Sequence, residues 1–210
     1  MMYIARILYP VQNLGPGNRL GIWVSGCHRD CPGCANPELR IIKPEHKMSL
    51  ESFARIMHML PVLPDAVTIT GGEPFDQPEG LSELCQWLSN NVSCDILVYS
   101  GYTLSQLRAR KDSFTDLALI NIAALIDGEY VAALNKGNQL KGSENQKLHV
   151  FRPQYIDAYT RLDRQGSIRR VQPFLSHDGS IITTGFEENG FQPEFSSRLQ
   201  QSINRGENHD

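Results

Sequence analysis

Three cysteines within eight residues, Cys27, Cys31 and Cys34, constrain this 210-residue chain more than any other feature. They lie in Gly26-Cys27-His28-Arg29-Asp30-Cys31-Pro32-Gly33-Cys34, a CxxxCxxC spacing on a loop held open by Gly26, Pro32 and Gly33. Three thiolates this close on a short loop hold three irons of a cubane cluster and leave the fourth iron without a protein ligand, an open position for a substrate or cofactor. Zinc is the competing reading, since a structural zinc site takes four protein ligands and His28 or His46 would be the fourth. No second cysteine or histidine pair at zinc-finger spacing follows, and His28 reads as an ordinary loop residue. The total of five cysteines is odd, which argues against a disulfide scaffold. Cys85 and Cys94 read as core residues, Cys85 on an apolar helix face and Cys94 at the start of an apolar strand.

The rest of the chain supplies a frame for that loop. An apolar stretch, YIARILYPV, precedes the turn-rich Asn13-Leu14-Gly15-Pro16-Gly17-Asn18, and the apolar run Leu20 to Val24 reads as a short buried strand leading into the cysteines. Helical spacing of Leu50, Phe53, Ile56, Met57 and Leu60 behind Ser49 predicts a helix that Pro61 and Pro64 stop. Ala66 to Thr70 reads as a strand running into Gly71-Gly72-Glu73-Pro74, followed by a helix from Pro78 to Asn90. The alternation continues with a strand from Asp95 to Tyr99, a turn at Ser100-Gly101, a short helix from Leu104 to Arg110, and a strand from Ile122 to Ile126 ending at Asp127-Gly128. Near-continuous apolar strands alternating with helices predict an α/β fold with a mostly parallel sheet, whose ligands gather at the carboxyl ends of the strands.

Lys136 to Lys147 reads as a long mobile loop before a strand at Leu148 to Phe151. A helix from Pro153 to Arg164 and a hairpin follow, with Val171 to Leu175 and Ser180 to Thr184 flanking Asp178-Gly179. The polar stretch from Glu187 is expected to fray. This divides the chain into a core over 1–151, a helix-hairpin extension over 152–186 and a polar tail over 187–210. At 210 residues the core is short for an eight-unit barrel, so an open, partial (β/α) barrel is expected.

Composition excludes several classes. A formal net charge of −3 removes the electrostatic reason to expect nucleic acid as partner. Arg108, Arg110 and Lys111, like Arg169 and Arg170, read as solvated. No run of about 18 apolar residues exists, and MMYIARILYP lacks the pattern of a secretory signal. The expectation is a cytoplasmic protein with no membrane association.

Gly71-Gly72-Glu73-Pro74 adds a second element. Two glycines let a ligand lie against a strand end, and Glu73 offers a carboxylate to an ammonium group. A site-differentiated cluster beside a pocket for an amino-acid-like ligand suits a methionine-bearing sulfonium cofactor. Together these residues resemble the radical S-adenosylmethionine (SAM) superfamily, and more closely the activating enzymes of glycyl-radical proteins, especially the subgroup acting on anaerobic ribonucleotide reductase. Gly15-Pro16-Gly17-Asn18-Arg19 is similar to the GPGxR run of those activases. Cys31-Pro32-Gly33-Cys34 followed by Asn36 matches the subgroup, and Gly142-Ser143-Glu144-Asn145-Gln146 resembles its GSxNQ run. Tyr99-Ser100-Gly101-Tyr102 and Asp127-Gly128 fall where it carries similar motifs. The resemblance spans Met2 to Phe151; Ala35 departs from it, standing where the subgroup usually has an aromatic residue, as does everything after Phe151.

The resemblance implies that Cys27, Cys31 and Cys34 ligate one 4Fe-4S cluster and that SAM chelates its fourth iron. Gly71, Gly72 and Glu73 would hold the methionine amine, with Ser100 and Asp127 as candidates for the ribose or adenine. No side chain is assigned a catalytic role. The implied activity is reductive SAM cleavage to a 5′-deoxyadenosyl radical, with a flavodoxin or ferredoxin as electron donor and a glycyl-radical enzyme as partner, such as anaerobic ribonucleotide reductase. Two alternatives stay open: a radical SAM enzyme acting directly on a small molecule or peptide, and a non-enzymatic iron-sulfur or zinc protein. For Arg19 the alternatives are a carboxylate, a partner or a surface ion pair; for Asn145 and Gln146 they are a contact to cofactor or partner, or a plain polar loop.

Overall fold

The computed structural model describes residues 1–164, 171–176 and 179–185. The chain opens with strand β1 (Met2–Val11) and β2 (Arg19–Val24), then β3 (Lys47–Met48) and helix α1 (Leu50–His58). It continues with β4 (Ala66–Gly71), α2 (Pro78–Asn91), β5 (Ile96–Ser100), α3 (Leu104–Ala109), α4 (Ser113–Asn121) and β6 (Ala124–Asp127). The last elements are β7 (Lys147–Val150), α5 (Ile156–Arg164), β8 (Gln172–Leu175) and β9 (Ile181–Thr184). Seven strands form one open sheet in the order β3-β1-β2-β4-β5-β6-β7, and β8 pairs with β9. Neighbours β2, β4, β5 and β6 run parallel, while β3, β1 and β7 join antiparallel at the flanks. The fold is therefore α/β with a parallel centre, compatible with a partial barrel.

Burial explains why the central strands are uniformly apolar. Every residue of β2, β5 and β6 is buried, because layers cover both faces of the sheet. One face packs Ile22, Ile69, Val98 and Leu125 against Phe53, Leu81, Leu88 and Ala118 of the helices. The other packs Leu97, Tyr99, Ala124 and Ile126 against Leu140 and Tyr159. Local signals set the helix starts. Ser49 accepts from the Ser52 N–H, Thr103 and Gln106 form a capping box, and Asp112 accepts from Phe114 and Thr115.

Several expectations change. Helix α4 occupies a stretch read as a link: Phe114 and Ile120 stay exposed while Ala118 is buried, so its apolar residues form no single stripe to read. The 136–147 segment lacks regular structure up to β7 but is tied down. Leu140 is fully buried, Asn138 accepts from the N–H groups of Leu140 and Lys141, and Gln146 accepts from Gly142. Its polar side chains satisfy the loop's own backbone, which composition alone reads as mobility. Cys94 is exposed, because it lies in the turn ahead of β5, whereas Cys85 is buried. Arg110 is half-buried and donates to the Phe75 carbonyl.

Beyond Phe151 the chain is tied to the sheet. Tyr159 of α5 is fully buried and donates to Asp95. Gln172 of β8 donates to the Pro10 carbonyl. Asp178 of the expected turn, Arg169, Arg170 and the 187–210 tail lie outside the described residues. Among the described residues no helix is long and apolar enough to cross a membrane.

Arg19 is neither exposed nor at a partner surface. It is fully buried at the start of β2, pairs with Asp95 at 3.1 Å, and donates to Thr68, the Val67 carbonyl and Tyr159. The GPGNR run thus locks the amino ends of the central strands, on the side away from the cysteines.

Candidate iron-sulfur and cofactor site

Parallel pairing brings the expected motifs to one edge of the sheet. Val24 of β2 lies opposite Gly71 of β4, and Ser100 of β5 opposite Asp127 of β6. The cysteine loop, Gly71-Gly72-Glu73, Ser100-Gly101-Tyr102 and Asp127-Gly128-Glu129 therefore converge at the carboxyl ends of the strands.

Backbone contacts fasten the cysteine loop. Gly26 N–H donates to Leu39 O and Cys27 N–H to Arg40 O, at 2.8 and 3.0 Å. Arg40 binds Asp30 and donates to the Cys31 carbonyl at 2.9 Å. Asp76 accepts from both the His28 N–H and ring, at 3.0 and 2.9 Å, so His28 is a tether of the loop. The glycines after β4 serve the same contact. A Cβ on Gly72 would lie 2.3 Å from the Gly26 carbonyl, and Gly71 takes a φ of +107° with its missing Cβ 2.5 Å from the Val24 carbonyl. The close approach that these glycines permit is that of the neighbouring strand and cysteine loop. The Gly72 and Glu73 N–H groups donate to Val24 and Gly26.

Cys27, Cys31 and Cys34 are all half-buried and unpaired in disulfides. Burial pushes the Cys27 and Cys31 thiols up, and the Cys31 thiol sits 3.4 Å from Glu129 Oε1. Metal ligation would displace those protons. Among the described residues no three His, Cys, Asp or Glu side chains are gathered to hold a single metal ion. A cubane cluster asks something different of its ligands, one thiolate for each of three separate irons, and three soft donors on one loop suit it.

Glu73 is the unusual charge of the site. It is 1% exposed, accepts from Phe75 N–H and Ser100 Oγ through Oε1, and accepts from Gly101 N–H through Oε2 at 2.7 Å. Among the described residues no cationic nitrogen is within ion-pairing distance of it. Burial raises its carboxyl to about 7, against the pull of those three hydrogen bonds. A buried carboxylate held by hydrogen bonds and without an ion-pair partner suits a cationic or N–H donor group.

Ser100 is buried and donates to Glu73 while accepting from Tyr102 N–H. Asp127 is buried, accepts from the Leu104 N–H at 2.6 Å, and lies 2.9 Å from His149 Nε2. Asn145 donates to Glu129 O and Gln146 to Gly128 O, so the GSENQ loop backs the end of β6. Sequence reasoning missed Asp76 and Glu129 as parts of this edge, and neither carried a signal; Tyr102 was named there only as part of the strand-end run Tyr99-Ser100-Gly101-Tyr102.

The 4Fe-4S single cluster domain family matches residues 13–149. The anaerobic ribonucleoside-triphosphate reductase-activating protein of Escherichia coli K12 is 30% identical over 153 residues, covering 69% of this chain and 96% of that protein. A protein of the same name from phage T4 is 26% identical over 146 residues, covering 67% and 90%. The pyruvate formate-lyase-activating enzyme of Clostridium pasteurianum is 25% identical over 175 residues, covering 78% and 71%.

Proposed function

This chain belongs to the 4Fe-4S single cluster domain family and, within it, to the radical SAM activases of glycyl-radical enzymes, and from that premise we propose that it installs a glycyl radical on an anaerobic ribonucleoside-triphosphate reductase. The observation that carries the reading is a three-thiol loop fastened beside a buried carboxylate that has no ion-pair partner among the described residues. Cys27, Cys31 and Cys34 would hold one 4Fe-4S cluster. When bound, the cluster and SAM supply reductive cleavage of the sulfonium C–S bond, with an electron from a flavodoxin or ferredoxin, and a 5′-deoxyadenosyl radical able to take an α-hydrogen from glycine.

The protein's own residues bind and orient. Glu73 receives the methionine amine, and Ser100 and Gly101 N–H hold that carboxylate in place. Asp127 acts in this reading through its hydrogen bond from the Leu104 N–H, fixing the turn that follows β5. Asp76 and Arg40 keep the cysteine loop seated, which positions cofactor and cluster together.

The test is anaerobic reconstitution with iron and sulfide, followed by reduction in the presence of SAM. The reading requires 5′-deoxyadenosine from the native chain and none from Cys31→Ala. Coexpression with a candidate reductase should give a glycyl radical in its electron paramagnetic resonance spectrum and oxygen-sensitive cleavage of its backbone. Retained SAM cleavage by Cys31→Ala would refute the ligand assignment, and absence of a glycyl radical on any coexpressed reductase would count against the partner.

A further inference from the structure

The cysteine loop carries a cation whose hydrogen-bonding capacity is largely unused. Arg29 turns inward from the loop, and its guanidinium stacks 4.8 Å from the centre of the Tyr102 ring. The same ring receives Arg110 at 4.1 Å, and its hydroxyl donates to Asp76 at 2.8 Å, so the platform beneath Arg29 is itself held. The seat depends on Gly101: a Cβ there would lie 2.5 Å from Arg29 Nε and Cδ. Gly101 is also the residue whose N–H grips Glu73, which places the cation and the buried carboxylate on two sides of one strand end.

A guanidinium has five N–H donors. Among the described residues Arg29 uses one, from Nη2 to Glu129 Oε2 at 3.3 Å. Its Nε is buried without a hydrogen-bond partner. A buried donor left unmatched is costly, and the group that completes it must be an acceptor. Glu129 is a weak occupant: its side chain is 47% exposed, so the ion pair is screened by water.

Resting on the SAM reading of the site, we propose that Arg29 binds the carboxylate of the aminoacyl group whose amine donates to Glu73, so that the two residues together recognise both polar ends of one α-amino acid head. Both residues meet Gly101, Glu73 through its N–H and Arg29 across its Cα. Glu73 offers the amine N–H groups a buried acceptor, and Arg29 offers the carboxylate a preorganised planar donor set. Arginine suits this task better than lysine because stacking on Tyr102 fixes the plane in which the carboxylate is met.

The experiment measures binding by equilibrium dialysis on anaerobically reconstituted protein, with two probes, SAM and decarboxylated SAM, on the native chain and on Arg29→Gln. Whatever the carboxylate contributes through iron is common to both proteins and cancels in the ratio of ratios. Arg29→Gln should cut the preference for SAM over decarboxylated SAM by about tenfold or more, as loss of a charge-assisted hydrogen bond requires. An equal loss of affinity for both probes would overturn the assignment while leaving the SAM reading intact. Failure of the native chain to bind SAM at all would instead overturn that reading. Should Arg29→Gln not retain the cluster, Arg29→Lys keeps the charge but loses the stacked plane. Its preference should fall between those of the native chain and an unselective site, and an unchanged preference would overturn the proposal.

Discussion

Replacing Glu73 with glutamine should flatten the pH dependence of the SAM-free protein's stability. The folded-state carboxyl titrates at about 7 because burial disfavours its charge, whereas in the unfolded chain it returns to 4.5. Between those values the folded state binds the extra proton, so stability falls as pH rises through the window and is fully present only below it. The loss attributable to this one group is about 2.5 kcal/mol between about pH 5 and about pH 8. Glutamine cannot titrate, so Glu73→Gln lacks this slope. Its amide can still accept from Phe75 and Ser100 but turns an N–H toward the Gly101 N–H, a cost that does not vary with pH. The assay is anaerobic urea unfolding of both proteins at several pH values, comparing slopes rather than absolute stabilities. Saturating SAM should reduce the native slope, since amine N–H groups donating to Glu73 favour its charged form and draw its pKa back down. Parallel stability curves for the native protein and Glu73→Gln without SAM would refute the claim that this carboxylate is buried without a counter-charge.

Three further outcomes follow from the packing. Gly72→Ala drives a methyl group to within 2.3 Å of the Gly26 carbonyl, so the cysteine loop must shift; iron content after reconstitution should fall several-fold, and normal loading would contradict the contact. Arg19→Leu leaves Asp95 buried without its charge partner and should cost about 3–5 kcal/mol in chemical denaturation, whereas a loss below about 1 kcal/mol would show that the pair is solvated. Gly101→Ala should evict Arg29 from Tyr102 because the side chain yields more easily than the strand; SAM affinity should drop at least as far as in Arg29→Gln, and unchanged affinity would place the cofactor elsewhere.

How far the site was legible depends on the kind of contact. The cysteines and Gly71-Gly72-Glu73 announce themselves because their chemistry needs particular residue types at short, fixed spacing along the chain. Asp76, Glu129 and the Arg29 seat do not, since each acts across a gap in sequence that only pairing of β2, β4, β5 and β6 closes. Arg19 shows the same limit from the other side. A lone arginine in a turn leaves a carboxylate, a partner and a surface ion pair equally open until Asp95, Thr68 and Tyr159 are brought around it.

By itself the sequence determined the strand-helix alternation, the thiol-bearing loop and the acidic strand end, because local propensity and short-range spacing carry them. Tertiary structure alone decided three things. The strand-end glycines accommodate protein backbone, Glu73 is buried with no ion-pair partner among the described residues, and a loop arginine comes to lie across Gly101 on an aromatic ring. Burial and the absence of a partner are properties of surroundings, and surroundings exist only once distant segments have packed.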